Sequence, residues 1–233
     1  MGSKSLSSAF LESIKENSID IVSNVAEVEL DNFLEDGLWK NIPFVSTAVS
    51  LFKIGKSIRD IYYIKKIDVF TQEFNRGYVD KKSLEKLKEK FQNNSKSRNK
   101  ELEYVLIILD RYIDLHKPKM LAKFYSSYLY EEILWLEFAE YSEIIARLLP
   151  SDFEVLFEFM CHGGVNENDL KKIDIAPVLR LQSLGLVTAQ KNPLWIELGS
   201  NRKPFDFYIT KSGRKLSNIF EKELHEIHKS HTI

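Results

Sequence analysis

The chain is poor in the residues that interrupt helices or cross-link secreted folds. Its 233 residues include nine glycines, six prolines and a single cysteine, Cys161. A lone cysteine excludes an intramolecular disulfide framework and favours a reducing compartment, so the sequence predicts a cytoplasmic protein. Few glycines and prolines between apolar segments are typical of packed helices rather than of a β-sandwich.

The sequence also lacks a dominant charge and a long apolar run. Its 33 Lys and Arg residues nearly balance its 34 Asp and Glu residues, which excludes a global field that would draw the protein onto a polyanion. The most apolar stretch, Leu38 to Ile54, is interrupted by Lys40, Asn41 and Lys53 and is too short for a membrane-spanning helix. The first five residues do not resemble a signal peptide. We therefore expect neither secretion nor stable membrane insertion.

What the chain does contain is apolar residues at helical spacing. This pattern predicts a mainly α fold, with a multi-helix bundle over residues 1–150. From Pro43 to Phe74 the apolar residues recur every three or four positions, which predicts one long helix with Gly55 inside it. The polar run Asn93 to Asn99 predicts a loop, and Pro150 is expected to close the last helix of the bundle.

Several cations lie beside the apolar stripe of this predicted long helix. They form a predicted basic flank: Lys53, Lys56, Arg59, Lys65 and Lys66. A solvated face with ordinary partners one helical turn away is the favoured interpretation, and a binding patch is the alternative. A further alternative makes Leu38 to Lys66 an interfacial helix that perturbs membranes. A core role is favoured over that alternative because the stripe is long and continuous.

The pattern changes after Pro150. Ser151 and Glu154 have the spacing of a capping box, so a second domain is predicted over residues 151–233. Its predicted elements are three helices, three short strands and a final helix: Phe153–Met160, Glu167–Ile173, Ile175–Leu186, Val187–Gln190, Trp195–Leu198, Phe205–Thr210 and Thr210–His228. Residues 199–204 connect the last two strands.

The run LQSLGLVTA, followed by FYITKSGRKL, resembles the winged-helix superfamily. The similarity rests on a leucine-glycine-leucine turn at 184–186 and on Thr210 and Gly213 at the start of a helix. It implies an α+β C-terminal domain. In DNA-binding members the third helix enters the major groove and the wing touches phosphates. That role would fall on Arg180, Gln182 and Ser183 as base-reading or positioning residues, and on Arg202, Lys203, Lys211 and Arg214 as phosphate contacts.

The predicted third helix carries too little positive charge to favour binding to a polyanion. Arg180 is its one cation and most of its other residues are aliphatic. Because phosphate neutralisation dominates nucleic-acid affinity, this helix favours protein contacts, and DNA binding is the alternative.

A second resemblance lies in the bundle. Residues 52–60, FKIGKSIRD, followed by Lys65 and Lys66 and by the segment at 114–129, are similar to a family of helical proteins of bacteria and their prophages. The resemblance implies a role in phage–host conflict and brings no particular activity.

Motifs that could carry chemistry have simpler explanations. Gly55-Lys56-Ser57 lacks the earlier glycine and the strand of a phosphate-binding loop. Cys161 and His162 precede two glycines and are interpreted as a helix C-terminus. The histidines near the C-terminus suggest at most adventitious metal binding: His225, His228 and His231.

The sequence therefore predicts a non-enzymatic protein without cofactor or metal. It is expected to bind a protein partner or itself, with a DNA-binding regulator and a membrane-surface-perturbing protein as alternatives.

Overall fold

The computed structural model describes residues 5–14, 38–55, 57–76, 81–165, 174–191, 205–221 and 224–225. The chain divides into two compact units, Met1–Ala146 and Arg147–Ile233. The sequence-based prediction placed the boundary after residue 150. Helices dominate, and a small antiparallel sheet accompanies them, so the predicted mainly α fold is confirmed.

The first unit is a helical bundle. Its elements are α1 (Leu6–Ser13), a 3₁₀ turn (Leu38–Asn41), α2 (Pro43–Leu51), α3 (Ile58–Arg76), α4 (Lys81–Asn93), α5 (Ser95–Arg111), α6 (His116–Leu129) and α7 (Trp135–Arg147).

Aromatic rings form the centre of this bundle. Phe10 of α1 is fully buried and its ring contacts rings from four other helices. The centroid distances are 4.9 Å to Phe44, 6.3 Å to Phe70, 4.9 Å to Phe74, 5.6 Å to Phe91 and 6.0 Å to Tyr125. Buried rings at such distances combine a large apolar area with favourable edge and offset geometry. One side chain thus ties α1 to α2, α3, α4 and α6.

The predicted long helix from Pro43 to Phe74 is broken, and this prediction was wrong. α2 ends at Leu51 and α3 begins at Ile58, with Gly55 between them rather than inside a helix. Lys53 adopts a positive φ of 50°, and the Ile54 amide donates to the Val49 carbonyl across the turn. Such a left-handed residue is a common way to end a helix.

A local cap explains why a new helix starts there. The Asp60 Oδ2 accepts the Ser57 amide at 3.2 Å and the Ser57 hydroxyl at 2.6 Å. In return, the Asp60 amide donates to Ser57 Oγ at 3.2 Å. This reciprocal pattern is a capping box, which satisfies the first amides of α3. Apolar periodicity continues across the break and so could not reveal it.

Two other boundaries also differ from prediction. Residues 93–99 are not a loop, because only Asn94 separates α4 from α5. Pro150 opens a helix instead of closing one, since its fixed φ suits a first helical position. The cap is Leu149, whose amide donates to Asp152 Oδ2 at 2.8 Å, so the predicted capping box of Ser151 and Glu154 is wrong.

The second unit combines helices with the sheet. Its elements are α8 (Pro150–His162), β1 (Gly164–Val165), α9 (Ile175–Ser183), β2 (Val187–Lys191), β3 (Phe205–Ile209) and α10 (Lys211–Ile219). The sheet order is β1–β3–β2 and both pairings are antiparallel. The predicted helix at 167–173, the predicted strand at 195–198 and the connection at 199–204 lie outside the described residues.

Hydrogen bonds join two sequence motifs of this unit, the leucine-glycine-leucine turn at 184–186 and the start of α10. We refer to this set of hydrogen bonds as the lock. The Thr210 hydroxyl donates to the Gly185 carbonyl at 2.7 Å and accepts the Gly213 amide at 3.0 Å, while the Thr210 amide donates to the Leu186 carbonyl. A Cβ on Gly213 would overlap the Leu186 carbonyl oxygen. The lock therefore needs a hydroxyl at 210 and a glycine at 213, and it holds the start of α10 against the turn after α9.

Candidate interaction surface of the second unit

Helix α9 has well-defined ends. The Asp174 carboxylate accepts the Ala176 amide at 3.1 Å and caps the first turn. At the other end Gly185 adopts a φ of 73°, and the Leu186 amide donates to the Leu181 carbonyl at 2.9 Å. This is the pattern of a glycine-terminated helix. The predicted turn at 184–186 is confirmed.

Arg180, the one cation of this helix, is held inside the unit. Its Nε donates to Asp152 Oδ1 at 2.9 Å and its terminal nitrogen lies 2.7 Å from the same oxygen. That nitrogen also donates to the Ser151 hydroxyl at 2.9 Å. Asp152 is fully buried, and its second oxygen accepts the Leu149 amide that caps α8. Arg180 thus neutralises a buried carboxylate and holds α9 against α8.

The outward face of α9 is neutral and partly apolar. Ile175 is 40% exposed and Leu179 is 50% exposed, one helical turn apart. Gln182 and Ser183 are also exposed on the following turn, whereas Val178 and Leu181 are buried. Exposed aliphatic side chains at this spacing offer a contact surface for another apolar surface, and they offer nothing to a phosphate.

Two exposed cations of this unit lie on α10. Lys211 and Arg214 are exposed and three residues apart, so they share one face of the helix. Neither forms an ion pair with any described residue. Arg202 and Lys203, the predicted wing cations, lie outside the described residues. The predicted site residues are therefore distributed: Arg180 is engaged within the unit, Gln182 is exposed on α9, and two cations are exposed on α10.

The predicted basic flank of the first unit is not one surface. Lys53 and Arg59 are exposed, and Arg59 donates to Asp110 Oδ2 at 2.7 Å. Lys65 and Lys66 are buried, which corrects the expectation that they lie on a solvated face. Lys56 lies outside the described residues.

Lys66 has a structural role instead. Its Nζ donates to the carbonyls of Asp110 at 3.0 Å and Tyr112 at 2.8 Å, at the end of α5. The last carbonyls of a helix have no partners within the helix, and they carry its negative dipole end. Burial lowers the pKa of Lys66 to about 8, and the nearby Asp110 carboxylate opposes that change.

Two more lysines act in the same way. Lys90 Nζ donates to the Leu129 carbonyl at the end of α6 and to Glu131 Oε1 at 2.7 Å. Lys117 Nζ donates to the Ala146 carbonyl near the end of α7 at 3.3 Å. Lys90 also lines a cavity of about 460 Å³ with Lys86, Asn93 and Tyr130. Its amine is engaged in these bonds rather than presented as a nucleophile.

Cys161 and His162, which the sequence places side by side, lie in the last turn of α8. Helix α8 ends at His162, and Gly163 follows with a φ of 73°, as the sequence predicted. His162 Nδ1 lies 3.3 Å from Glu158 Oε2. Burial and the Glu158 and Glu221 carboxylates raise the pKa of the exposed Cys161 thiol, which disfavours the nucleophilic thiolate.

Metal chemistry gains no support from the described histidines. The ring of His225 packs against Phe157 with centroids 4.8 Å apart, and His228 and His231 lie outside the described residues. Among the described residues, no three His, Cys, Asp or Glu side chains are grouped as metal ligands would be. Among the same residues, every helix is too short or too polar to span a bilayer.

The Asp152–Arg180 pair was not anticipated from the sequence. Its signal was local: a proline at the first position of a helix followed two residues later by an aspartate, which places that carboxylate on the helix start. The partner arginine lies 28 residues on, a separation that no helical or strand period links.

Comparison of the chain with family models, curated proteins and solved structures found no match.

Proposed function

We propose that the second unit is a winged-helix domain and that the chain is a non-enzymatic interaction protein. The order of α8, β1, α9, β2, β3 and α10 and the sheet order β1–β3–β2 support this domain assignment. The second helix of such a domain stays a prediction from the sequence, over Glu167–Ile173, which lie outside the described residues. The lock between Thr210, Gly185 and Gly213 supplies a physical reason for the two motifs on which the sequence resemblance rests.

The partner in this proposal is a protein that packs on the outward face of α9. The observation that carries the proposal is the engagement of Arg180 by buried Asp152, which leaves Ile175, Leu179 and Gln182 as the face of α9. Reading a base or a phosphate with Arg180 would break this pair and leave a buried carboxylate without its partner, at a cost of about 2 kcal/mol, given that Arg180 itself is partly exposed. An apolar partner surface requires no such rearrangement. A role in phage–host conflict stays a prediction from the sequence.

A pair of matched double variants tests this proposal. The full chain is immobilised and exposed to bacterial lysate at low and high salt, and captured proteins are quantified by mass spectrometry. Ile175→Ser with Leu179→Ser is expected to abolish capture of a specific protein, while Lys211→Ala with Arg214→Ala leaves that capture unchanged. Capture that depends on the α10 cations and not on the α9 aliphatic residues would overturn the proposal.

DNA binding is a second candidate, favoured by the exposed Lys211 and Arg214. Phosphate contacts by these residues, together with Arg202 and Lys203, would give an affinity that falls steeply with salt. Fluorescence anisotropy with duplex DNA across a salt series measures this slope. Replacement of Arg202 and Lys203 by Ala is expected to flatten the slope if the candidate holds. A wild-type titration that shows no binding at low salt eliminates it.

A further inference from the structure

Helices α5 and α7 lie side by side in the bundle. The hydroxyl oxygens of Tyr104 on α5 and Ser142 on α7 are 2.9 Å apart. Two turns further along α5, the Arg111 guanidinium donates to both carboxylate oxygens of Glu143, at 2.5 and 3.0 Å. These contacts hold the two helices together at two points, so their outward side chains belong to one surface.

Large aliphatic side chains are exposed on this surface. Ile107, which lies between Tyr104 and Arg111 on α5, is 55% exposed. Leu134 and Leu136, at the start of α7, are 72% and 76% exposed. Exposed apolar side chains that are grouped in this way, with polar residues around them, are typical of a contact site for another molecule.

Three acids on this surface carry unpaired charge. On α5, Glu103 precedes Ile107 by one turn, and on α7, Glu140 follows Leu136 by one turn. Each of these acids therefore shares a helical face with an exposed aliphatic side chain. Glu132 lies just before α7. All three acids are exposed, and none forms an ion pair with any described residue.

Cations on the same two helices offset this charge only in part. Arg111 is neutralised by Glu143. Lys100, one turn before the first of the three acids, is exposed and cancels one of their charges. Arg147, the last residue of α7, lies about 16 Å along the helix from Leu136. That separation exceeds the Debye length of about 8 Å at physiological salt, so the surroundings of the aliphatic side chains remain negative.

We propose that this surface binds a cationic amphipathic helix of a partner protein. Aliphatic side chains of that helix cover Ile107, Leu134 and Leu136, and its Lys or Arg side chains pair with Glu103 and Glu140. A helix suits the surface because it supplies apolar anchors every three or four residues and places charges beside them. Complementary charge favours this occupant over an acidic helix or an anionic membrane. The inference concerns the first unit and goes beyond the proposed function of the second.

Fluorescence anisotropy of the full chain with two labelled synthetic peptides tests this proposal. The first peptide contains leucine and lysine, with its leucines spaced three and four residues apart so that they share one helical face. The second has the same composition, with its leucines distributed around the helix. The wild type is expected to bind the first peptide about tenfold more tightly than the second, because only the first covers the aliphatic side chains with leucine. Added salt should weaken that binding.

Two double variants separate the apolar contribution from the charged one. Ile107→Ser with Leu136→Ser is expected to weaken binding of the first peptide about tenfold, because it removes most of the apolar contact. Glu103→Gln with Glu140→Gln is expected to weaken binding about tenfold at low salt and much less at high salt, because it removes charge and keeps the size of the side chains.

The matched controls change the same kinds of residue elsewhere in the bundle. Phe52→Ser with Ile58→Ser removes two exposed apolar side chains at the turn between α2 and α3. Glu85→Gln with Glu89→Gln removes two exposed acids one turn apart on α4. Both controls are expected to bind the first peptide like the wild type, and circular dichroism shows whether each variant keeps its helical content.

The proposal is overturned if the wild type binds neither peptide, or if it binds both equally, which would show attraction of a polycation alone. It is also overturned if a folded variant of the α5 and α7 residues binds like the wild type. Sedimentation of the wild type without peptide tests another occupant. Self-association that Ile107→Ser with Leu136→Ser abolishes would place a second copy of the chain on this surface and would overturn the proposal as well.

Discussion

The two units use their cations differently. In the first unit Lys66, Lys90 and Lys117 each donate to a carbonyl at or near the end of a neighbouring helix. In the second unit Lys211 and Arg214 are exposed without a described ion pair. The number of cations in a segment therefore does not indicate how many a ligand can reach. In the bundle, long basic side chains satisfy helix ends that glycine turns satisfy elsewhere.

Arg180 of the second unit is also engaged within its unit, but by the Asp152 carboxylate and the Ser151 hydroxyl rather than by a helix-end carbonyl. That unit otherwise holds its turns with short groups, namely the Thr210 hydroxyl and the backbone around Gly185 and Gly213. The difference is testable by removing one group of each kind, and the expected effects below run from the largest to the smallest.

Gly213→Ala should break the backbone lock of the second unit. The added methyl overlaps the Leu186 carbonyl, so α10 or the turn after α9 must move, which we expect to lower the free energy of unfolding of that unit by about 3 kcal/mol. Hydrogen exchange measured by mass spectrometry would show faster opening of β2 and α10, with the bundle unchanged. Ser212→Ala, at an exposed neighbouring position, serves as the control and should have no such effect.

Comparison of Arg180→Ala with Arg214→Ala should distinguish a cation that stabilises the fold from an exposed cation that does not. It leaves the buried Asp152 carboxylate without its charged partner, and because Arg180 itself is partly exposed we expect a loss of about 2 kcal/mol. Arg214→Ala, at an exposed position, should change the stability by less than about 0.5 kcal/mol. Denaturant unfolding of both variants provides the comparison, and equal stabilities would mean that Arg180 is as dispensable as Arg214.

Asp68→Asn should stabilise the bundle in a pH-dependent manner. Asp68 is buried and its Oδ1 has no hydrogen-bond partner, and burial raises the pKa of its carboxyl from 3.8 to about 6. The native state therefore holds this proton more tightly than the unfolded chain. The favourable contribution is complete below pH 3.8 and is lost as the pH rises through about 6.

At neutral pH the Asp68→Asn variant should gain about 2 kcal/mol, and near pH 4 the gain should largely vanish. Urea unfolding at both pH values measures the difference. A gain that is independent of pH would show that the carboxylate charge is not the cause.

Lys53→Gly should produce the smallest change. A non-glycine residue at a φ of 50° carries a conformational cost that glycine does not, so we expect a gain of about 0.5 kcal/mol after the entropy lost by glycine is included. The melting temperature measures this gain. Lys53→Ala keeps a Cβ at the same φ and should not give this gain, so an equal gain in both variants would contradict the assignment to backbone conformation.

The sequence was informative about elements and less so about their partners. Helical periodicity predicted the bundle, and the leucine-glycine-leucine turn predicted the end of α9 at Gly185. It could not show the break at residues 52–57, because apolar spacing persists while a capping box starts a new helix. It also placed Lys65 and Lys66 on a solvated face, because a helical stripe does not show which neighbouring helices cover its flanks.

For the candidate interaction surface, too, the sequence was more informative about the helix than about the partners of its side chains. The aliphatic character of α9 was visible from the sequence, and its residues Ile175 and Leu179 are exposed. Protein contact through this face stays a prediction. The engagement of Arg180 was not visible, because it depends on a carboxylate that is distant in the chain and buried by tertiary packing.

A double-mutant cycle between Arg180 and Asp152 tests the central claim most directly. The variants are Arg180→Ala, Asp152→Asn and their combination, and the free energy of unfolding is measured for each. Asn at 152 keeps an oxygen for the Leu149 amide, so the cycle isolates the charged pair. We predict a coupling of about 1 to 2 kcal/mol. A coupling near zero would contradict the account, because it would leave Arg180 available to bind a phosphate.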